Sequence, residues 1–384
     1  MVSKYSQAAP VYFGEGAINQ LGERVKELGC KKVMCVYDAG VKAAGAGAKA
    51  EESLKAAGID YLVYDKITGE PADYLVNECG TMAKEAGVDC FVGIGGGSSM
   101  DCAKASALLI ENPAPIEQYF TAPPTFIRTA IPIILVPTTA GTGSECSPMC
   151  IITSGGEKLS VFTNTRLAII DPELTYTVPP SVTANTGLDA FTHAAEAITA
   201  RNYNPHSELV GKAAIEKITK YLPIAVADGK NAEARRELAL AANWAGIAFA
   251  DTDAHLGHCL ADSISKYFHS PHGYNCICVT PEVMRHAANE IPERVKIVGE
   301  ACGAEFDGTE TPAEIGEKTA AAIDALRKAC GYKSPKEYNM DRETFLNMTA
   351  HTMTIDLGLR INYPGDVDEA LCDEILQASY DNYD

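Results

Sequence analysis

The first half of the chain repeats one local pattern: a short apolar run, a turn rich in glycine, proline or threonine, and a helix-like stretch. The apolar runs lie at residues 33–37, 61–64, 90–94 and 133–136. Buried strands that alternate with helices are typical of βαβ units and a mostly parallel sheet. The pattern therefore predicts a Rossmann-like α/β domain, in which ligands bind at the carboxyl ends of the strands.

From about residue 180 onward, apolar residues recur at spacings of three and four, which predicts helices. The helical segments lie at roughly 182–200, 206–221, 231–250, 309–329 and 366–380. Breakers such as Pro271 separate them. We therefore expect residues 1–179 to form the α/β domain, residues 180–384 to form an all-α domain, and the catalytic cleft to lie between them.

The charge and the cysteine count exclude several classes of protein. The chain carries 32 Lys and Arg against 51 Asp and Glu, a net charge of −19, which disfavours nucleic acid and membrane surfaces as partners. No apolar run approaches the roughly 18 residues that a membrane span needs. Thirteen scattered cysteines predict reduced thiols in a reducing compartment, and hence a cytoplasmic protein.

Two loops at strand ends carry the pattern of a nucleotide site. Gly95, Gly96, Gly97 and Ser98 follow one apolar run and open an Ala-rich helix, whose free N–H groups favour a phosphate. A tight strand-to-helix turn is the alternative, since the loop matches neither the G-x-G-x-x-G nor the P-loop pattern. The loop at 137–145 is rich in threonine and glycine, and it can line the same site or be an ordinary Ser/Thr loop.

A possible metal site lies in the helical half. Asp189 and His193 stand four residues apart, which places both on one face of a helix. His258 and His272 follow in a short region that holds four of the eight histidines. A carboxylate with three imidazoles suits Fe²⁺, Zn²⁺ or Mn²⁺, and the sequence does not choose among them. Solvated or capping side chains are the alternative.

Together these motifs resemble the iron-dependent (group III) alcohol dehydrogenase family, which includes glycerol dehydrogenase and is related to dehydroquinate synthase. The resemblance covers nearly the whole chain. It rests on Gly-Gly-Gly-Ser at 95–98, Pro-Thr-Thr-Ala-Gly-Thr-Gly-Ser-Glu at 137–145, Asp171-Pro172, Gly-Leu-Asp-Ala-x-x-His at 187–193 and Pro-His-Gly at 271–273.

The resemblance implies that the α/β domain binds NAD. It implies that the glycine turn holds the pyrophosphate, that the threonine loop lines the nicotinamide side, and that Lys158 touches the ribose. Asp38 matches an acidic position that binds the adenosine ribose, and its charge favours NAD(H) over NADP(H). The implied cofactor-binding residues are Asp38, Gly95, Gly96, Gly97, Ser98, Thr138, Thr139, Thr142, Ser144 and Lys158.

The resemblance also implies that Asp189, His193, His258 and His272 are the ligands of a divalent metal, Fe²⁺ first, with Zn²⁺ or Mn²⁺ as alternatives. In such enzymes the metal acts as a Lewis acid on the substrate oxygen, while hydride passes between the substrate carbon and nicotinamide. The family is commonly a homodimer or a larger homo-oligomer, and we expect the same here.

The chain departs from the family pattern near the implied metal ligands. Asp262 stands where relatives usually carry a histidine that is discussed as a proton relay, and it can either relay protons or pair locally. His269 and His255 are alternative relays. Residues 251–257 are bulkier and more polar than the glycine-rich stretch of relatives. We therefore expect a small polar substrate, such as a diol, hydroxyaldehyde, amino alcohol or sulfoacetaldehyde-like compound.

Two other functions compete with this interpretation. A dehydroquinate-synthase-like lyase also uses NAD and a metal, but it needs more basic residues for a phosphorylated substrate. A non-catalytic NAD or metal sensor would keep both sites without turnover. The close pairs Cys146/Cys150 and Cys276/Cys278 lack the C-x-x-C spacing of structural zinc sites, so we expect buried thiols there.

Overall fold

The structure is a computed structural model that describes residues 5–7, 9–121, 124–355 and 357–382. Gln7–Val178 form one compact unit. The described residues from Pro179 onward, with Tyr5 and Ser6, form a second unit. None of the described helices combines the length and the hydropathy that are needed to span a bilayer.

The first unit is built on a parallel sheet. Its strands are β1 (Val11–Phe13), β2 (Lys32–Asp38), β3 (Asp60–Ile67), β4 (Cys90–Gly95), β5 (Ile133–Pro137), β6 (Met149–Ser154), β7 (Glu157–Phe162) and β8 (Leu167–Ile170). In the part of the chain that the structure describes, six strands pair in parallel in the order β1-β8-β5-β4-β2-β3. β6 and β7 form a separate antiparallel hairpin.

The apolar runs form strands because both faces of the sheet are covered. In β2, Val33 and Cys35 belong to one buried cluster, whereas Met34 and Val36 belong to the other, as the alternation of side chains along a strand requires. The helices are α1 (Leu21–Glu27), α2 (Ala39–Ala44), α3 (Ala46–Ala56), α4 (Asp73–Glu85) and α5 (Gly97–Glu111). Residues of α1 and α3 complete the first cluster, and residues of α4 and α5 complete the second.

The second unit is helical, so the predicted order of a parallel α/β sheet followed by helices is confirmed. Its helices are α6 (Pro180–Thr199), α7 (Pro205–Ala227), α8 (Ala232–Thr252), α9 (Leu256–Phe268), α10 (His272–Ala287), α11 (Pro292–Ala301), α12 (Pro312–Ala329), α13 (Arg342–Leu346), α14 (Thr349–Thr352), α15 (Leu357–Asn362) and α16 (Glu369–Asp381). Proline opens α6, α7, α11 and α12, where its missing N–H and fixed φ cost nothing.

Candidate metal and cofactor sites

Four side chains that can bind a metal converge inside the helical unit. They are Asp189 of α6, His258 of α9, and His272 and Cys276 of α10, and their ligand atoms all lie within 4.8 Å of one another. Asp189 Oδ1 lies 3.8 Å from His258 Nε2 and 3.8 Å from His272 Nε2. Cys276 Sγ lies 3.5 Å from His272 Nε2. The structure therefore brings together three of the predicted ligands and one residue that the sequence analysis did not assign.

The fourth predicted ligand, His193, lies beside this cluster. Its Nδ1 is 4.0 Å from Asp189 Oδ2, and its ring stacks on His258 at a centroid distance of 4.6 Å. On the same helical unit it also stacks on Phe249, at 4.3 Å. Burial lowers the pKa of His193 to about 4, so its imidazole is neutral at pH 7. A neutral imidazole is the form that binds metal ions.

A glycine allows α10 to begin close to α6. A Cβ at Gly273 would lie 2.0 Å from the backbone oxygen of Asn185 and 2.9 Å from Asp189 Cβ. No other residue fits there without moving one of the helices. The Pro-His-Gly motif therefore has a physical reason, because it sets His272 of α10 directly against Asp189 of α6.

A buried carboxylate, Glu196, organises the cluster from behind. Its oxygens accept hydrogen bonds from the backbone N–H groups of His255 at 2.8 Å and Gly257 at 2.7 Å, and Oε2 lies 2.7 Å from His258 Nδ1. Burial raises the pKa of Glu196, but the imidazoles of His255 and His258 and these hydrogen bonds outweigh it and lower the pKa to about 2. Glu196 is therefore ionised, and His258 Nδ1 donates to it.

This hydrogen bond directs the other nitrogen of His258 into the cluster. His258 Nε2 is buried and has no hydrogen-bond partner among the described residues. Burial lowers the pKa of His258, but Cys276 and Glu196 raise it well above its usual value. A carboxylate behind a ligating histidine is the usual support of a metal site, so these residues fit a divalent metal.

The polar stretch at 251–257 does not present all its side chains to a substrate. His255 is fully buried, with Nε2 2.8 Å from Thr199 Oγ1 and Nδ1 3.2 Å from Glu196 Oε1. Asp251 Oδ2 accepts a hydrogen bond of 2.6 Å from the backbone N–H of Ser6. These two side chains support the fold of the helical unit, and they do not argue for a polar substrate.

Of the three candidate proton-transfer residues, His255 is the buried one described above, and the other two lie in different surroundings. Asp262 of α9 is half-buried, and its Oδ1 lies 3.7 Å from His272 Nδ1. His269 ends α9 in the left-handed conformation, with φ 51°, and it is exposed. The structure therefore brings Asp262 beside a candidate metal ligand and leaves His269 on the surface.

In the α/β unit, the glycine turn joins β4 to the N-terminus of α5. Gly96 precedes the first turn of the helix, and within the described part of the chain no side-chain cap is seen there. Gly95 has φ 150°, and a Cβ there would lie 2.6 Å from Ser99 Oγ. Gly96, Gly97 and Ser98 are half-buried. The start of this fifteen-residue helix therefore keeps free donors that suit a phosphate.

The threonine loop after β5 packs against this turn, as expected for two loops that follow neighbouring parallel strands. The backbone N–H of Thr138 donates to the oxygen of Gly95 at 2.9 Å. A Cβ at Gly97 would lie 3.0 Å from Thr142 Cγ2, and one at Gly96 would lie 3.5 Å from Thr139 Oγ1. The two predicted loops therefore form one continuous surface at the carboxyl edge of the sheet.

Asp38 stands at the end of β2, at the same edge of the sheet. Its Oδ1 accepts a hydrogen bond of 2.8 Å from the backbone N–H of Val41, which caps α2. Its Oδ2 accepts a bond of 3.5 Å from Ser99 Oγ. The side chain is half-buried, so the carboxylate that the resemblance assigned to the ribose also has a structural task.

Two other predicted cofactor residues are engaged with neighbouring side chains. Ser144 Oγ donates to Asp101 Oδ1 at 2.6 Å, and both residues are buried. Lys158 of β7 lies with its Nζ 2.8 Å from Glu70 Oε1. The Ser144 hydroxyl therefore stabilises its own loop, and Lys158, on the β6–β7 hairpin, is paired with Glu70.

Comparisons with known proteins agree with this arrangement. The chain is 33% identical over 327 residues to the NAD-dependent methanol dehydrogenase of Bacillus methanolicus, a match that covers 84% of this chain and 85% of the relative. It is 33% identical over 298 residues to the sulfoacetaldehyde reductase of Bilophila wadsworthia, covering 76% of each. A crystal structure of 1,3-propanediol oxidoreductase superposes with a TM-score of 0.93 at 29% identity, covering 99% of this chain and 100% of that one.

Family profiles span both units. The profile of iron-containing alcohol dehydrogenase matches residues 8–172, and that of the C-terminal part of the Fe-containing alcohol dehydrogenase family matches residues 183–380. The resemblance seen in the motifs is thereby confirmed. This chain belongs to the iron-containing alcohol dehydrogenase family.

Proposed function

We propose that the protein is an NAD(H)-dependent alcohol dehydrogenase that works in either direction on a small polar alcohol or aldehyde. The observation that carries the proposal is the cluster of ligand atoms around Asp189, three of its four residues buried, with His258 held from behind by ionised Glu196. Asp189, His193, His258 and His272 would hold the metal, Fe²⁺ first, with Zn²⁺ or Mn²⁺ as alternatives.

Each group has a distinct task in this proposal. When bound, a divalent metal supplies Lewis acidity to an alcohol or carbonyl oxygen, and a nicotinamide supplies the hydride chemistry. Asp189 contributes the negative charge of the ligand set, and Glu196 fixes the orientation and tautomer of His258. Asp262, half-buried beside His272, is the residue that we expect to hold or pass a proton.

The proposed cofactor site is the edge formed by the glycine turn, the threonine loop and Asp38. The N-terminus of α5 would bind the pyrophosphate, because glycine stands at its N-cap and none of the described side chains is seen to cap its N–H groups. Asp38 keeps a negative charge at the end of β2, which opposes a 2′-phosphate and supports NAD(H) over NADP(H). A relative of known structure, the sulfoacetaldehyde reductase of Bifidobacterium kashiwanohense, was crystallised with NAD⁺, with a TM-score of 0.89 and 25% identity over 99% of each chain.

The substrate class rests on the polar residue beside the proposed metal and on the relatives. Asp262 places a carboxylate beside a proposed metal ligand. A long alkanol would be served better by purely apolar surroundings. The relatives include enzymes named for methanol, choline, sulfoacetaldehyde and 1,3-propanediol. These are small molecules, and several carry a second polar group, whereas another relative is named for long-chain alcohols.

The test is NADH oxidation by anaerobically purified protein that is reloaded separately with Fe²⁺, Zn²⁺ or Mn²⁺. The panel contains small diols, hydroxyaldehydes, amino alcohols, sulfoacetaldehyde and unsubstituted butanal. We expect metal-dependent turnover that is lost in His258→Ala. Turnover that is best with butanal would overturn the substrate class. Tight NADH binding without turnover of any aldehyde would overturn the dehydrogenase and favour a lyase or a sensor.

A further inference from the structure

Cys276 is a buried thiol placed among the atoms that we assign to the metal. We propose that Cys276 supplies a thiolate ligand to this metal; the inference rests on the metal centre of the proposed function. It adds a sulfur to a ligand set that the family pattern describes with one carboxylate and three imidazoles.

The spacing of the atoms carries the argument. Metal–ligand bonds of about 2.0–2.3 Å place neighbouring ligand atoms up to about 3.8 Å apart. Cys276 Sγ lies 3.5 Å from His272 Nε2, and Asp189 Oδ1 lies 3.8 Å from that same nitrogen. The Cys276 thiol thus lies about as close to His272 Nε2 as the Asp189 carboxylate does, and that carboxylate belongs to a family motif. This is the position expected of a ligand.

Helix periodicity explains how sulfur reaches this position. His272 and Cys276 are four residues apart on α10, so their side chains share one face of the helix. The close approach at Gly273 then presses that face against α6, which carries Asp189. The sequence and the packing together direct both side chains of α10 to the same point.

A second, independent observation points to a cation there. His258 Nε2 is buried in the cluster, and no described residue offers it a hydrogen bond. Cys276 is itself fully buried, and its Sγ lies near His258 as well as His272. A buried nitrogen without a hydrogen-bond partner is costly, and one cation would bind this nitrogen and the neighbouring sulfur together.

The neighbouring cysteine shows that this placement is particular to Cys276. Cys278 is equally buried, two positions further along α10, but its thiol lies beside Tyr332 and near the Arg327 guanidinium. Arg327 Nη1 also donates to the backbone oxygen of Cys278 at 3.1 Å. Cys278 is therefore a matched control: the same residue type, helix and burial, with its thiol among different neighbours.

A thiolate changes what the site prefers. On coordination the Sγ–H bond is replaced by an Sγ–metal bond, and one proton is released to the solvent. Thiolate ligands favour zinc and iron, whereas carboxylate and water ligands suit manganese. We therefore expect Cys276→Ser to weaken the binding of Zn²⁺ more than that of Mn²⁺.

The experiment is optical spectroscopy of metal-depleted protein titrated with Co²⁺ under anaerobic conditions. Wild type and Cys278→Ser should show a near-ultraviolet thiolate-to-cobalt charge-transfer band, which Cys276→Ser should lack while it keeps the visible bands of bound cobalt. If Cys276→Ser kept the charge-transfer band, or if wild type bound cobalt without that band, Cys276 would not be a thiolate ligand. No cobalt binding by wild type would overturn the metal centre itself.

A second measurement needs no variant and so does not depend on how Cys276→Ser folds. X-ray absorption of zinc-loaded wild type should show one sulfur at about 2.3 Å from the metal. A shell of nitrogen and oxygen atoms alone would overturn the thiolate, while metal-dependent turnover would leave the proposed function intact.

Discussion

Glu196 Oε2 and His258 Nδ1 lie 2.7 Å apart in the interior of the helical unit, and both side chains are buried. This contact links the candidate metal ligands to the carboxylate that supports them. The carboxylate of α6 fixes the ring on α9, and the opposite nitrogen of that ring is left facing Asp189, with His258 Nε2 3.8 Å from Asp189 Oδ1. The orientation of a candidate ligand is thus set by a residue that is not itself in the cluster.

Replacing Glu196 by glutamine should weaken metal binding. Three donors point at the two carboxylate oxygens, and a glutamine would turn its NH₂ group towards one of them. We expect a loss of about 10- to 100-fold in metal affinity, measured by competition with a chelator. The metal-free protein should also lose about 1–3 kcal/mol of unfolding free energy. Glu208→Gln is the control, since that half-buried carboxylate accepts from Tyr203 on another part of the unit; equal affinities in the two variants would contradict the prediction.

Gly257→Ala should disturb the same carboxylate from the other side. A Cβ at Gly257 would lie 2.3 Å from Glu196 Oε1, so Glu196 must move. We expect a loss of about 1–3 kcal/mol in unfolding free energy, together with weaker metal binding. Gly358→Ala is the matched control, because a Cβ there meets no atom within 4 Å and helical alanine is favoured by up to about 1 kcal/mol. Two variants with the same thermal midpoint would refute the steric argument.

Much of the α/β unit could be predicted, because its strands are continuous apolar runs. The runs at 33–37 and 90–94 correspond to β2 (Lys32–Asp38) and β4 (Cys90–Gly95). The β6–β7 hairpin was not predicted, since its side chains are mostly half-buried and give no apolar run. Gly155 and Gly156, both with positive φ, turn this hairpin, and a Gly-Gly pair between alternating residues was the available signal.

In the site, the spacing of family motifs placed Asp189, His258 and His272 together, but it did not identify Cys276 or Glu196. The close pair Cys276/Cys278 predicts only buried thiols, whereas the informative spacing is the four residues from His272 to Cys276. Glu196 resembles any helical glutamate in a sequence. Its importance depends on the fold, which buries it against backbone N–H groups of a segment about sixty residues away.

Asp262→Asn should slow turnover. Asp262 Oδ1 lies 3.7 Å from His272 Nδ1, whose opposite nitrogen faces the cluster, so the carboxylate is placed to hold or pass a proton at this ring. We expect kcat to fall by about 10²-fold or more, with a smaller change in the KM for NADH. Asp251→Asn is the control, because that carboxylate binds Ser6. A larger loss of kcat in His269→Ala than in Asp262→Asn would assign proton transfer to His269.

The last prediction separates the two tasks of Asp38. Its carboxylate caps α2 through Val41 and, in the proposed function, excludes the 2′-phosphate of NADP(H). Serine caps a helix about as well as aspartate but carries no charge. We therefore expect Asp38→Ser to keep the thermal midpoint and to raise kcat/KM for NADPH relative to NADH by about tenfold, which corresponds to about 1.4 kcal/mol.

Asp60→Ser serves as the comparison for Asp38→Ser. Asp60 is an exposed aspartate at the amino end of β3, the edge of the sheet opposite to the proposed cofactor site. Asp60→Ser changes the net charge by the same amount as Asp38→Ser. A general effect of charge would therefore shift the NADPH preference equally in both variants. An unchanged preference in Asp38→Ser, with the fold intact, would remove Asp38 from cofactor selection and leave it as the cap of α2.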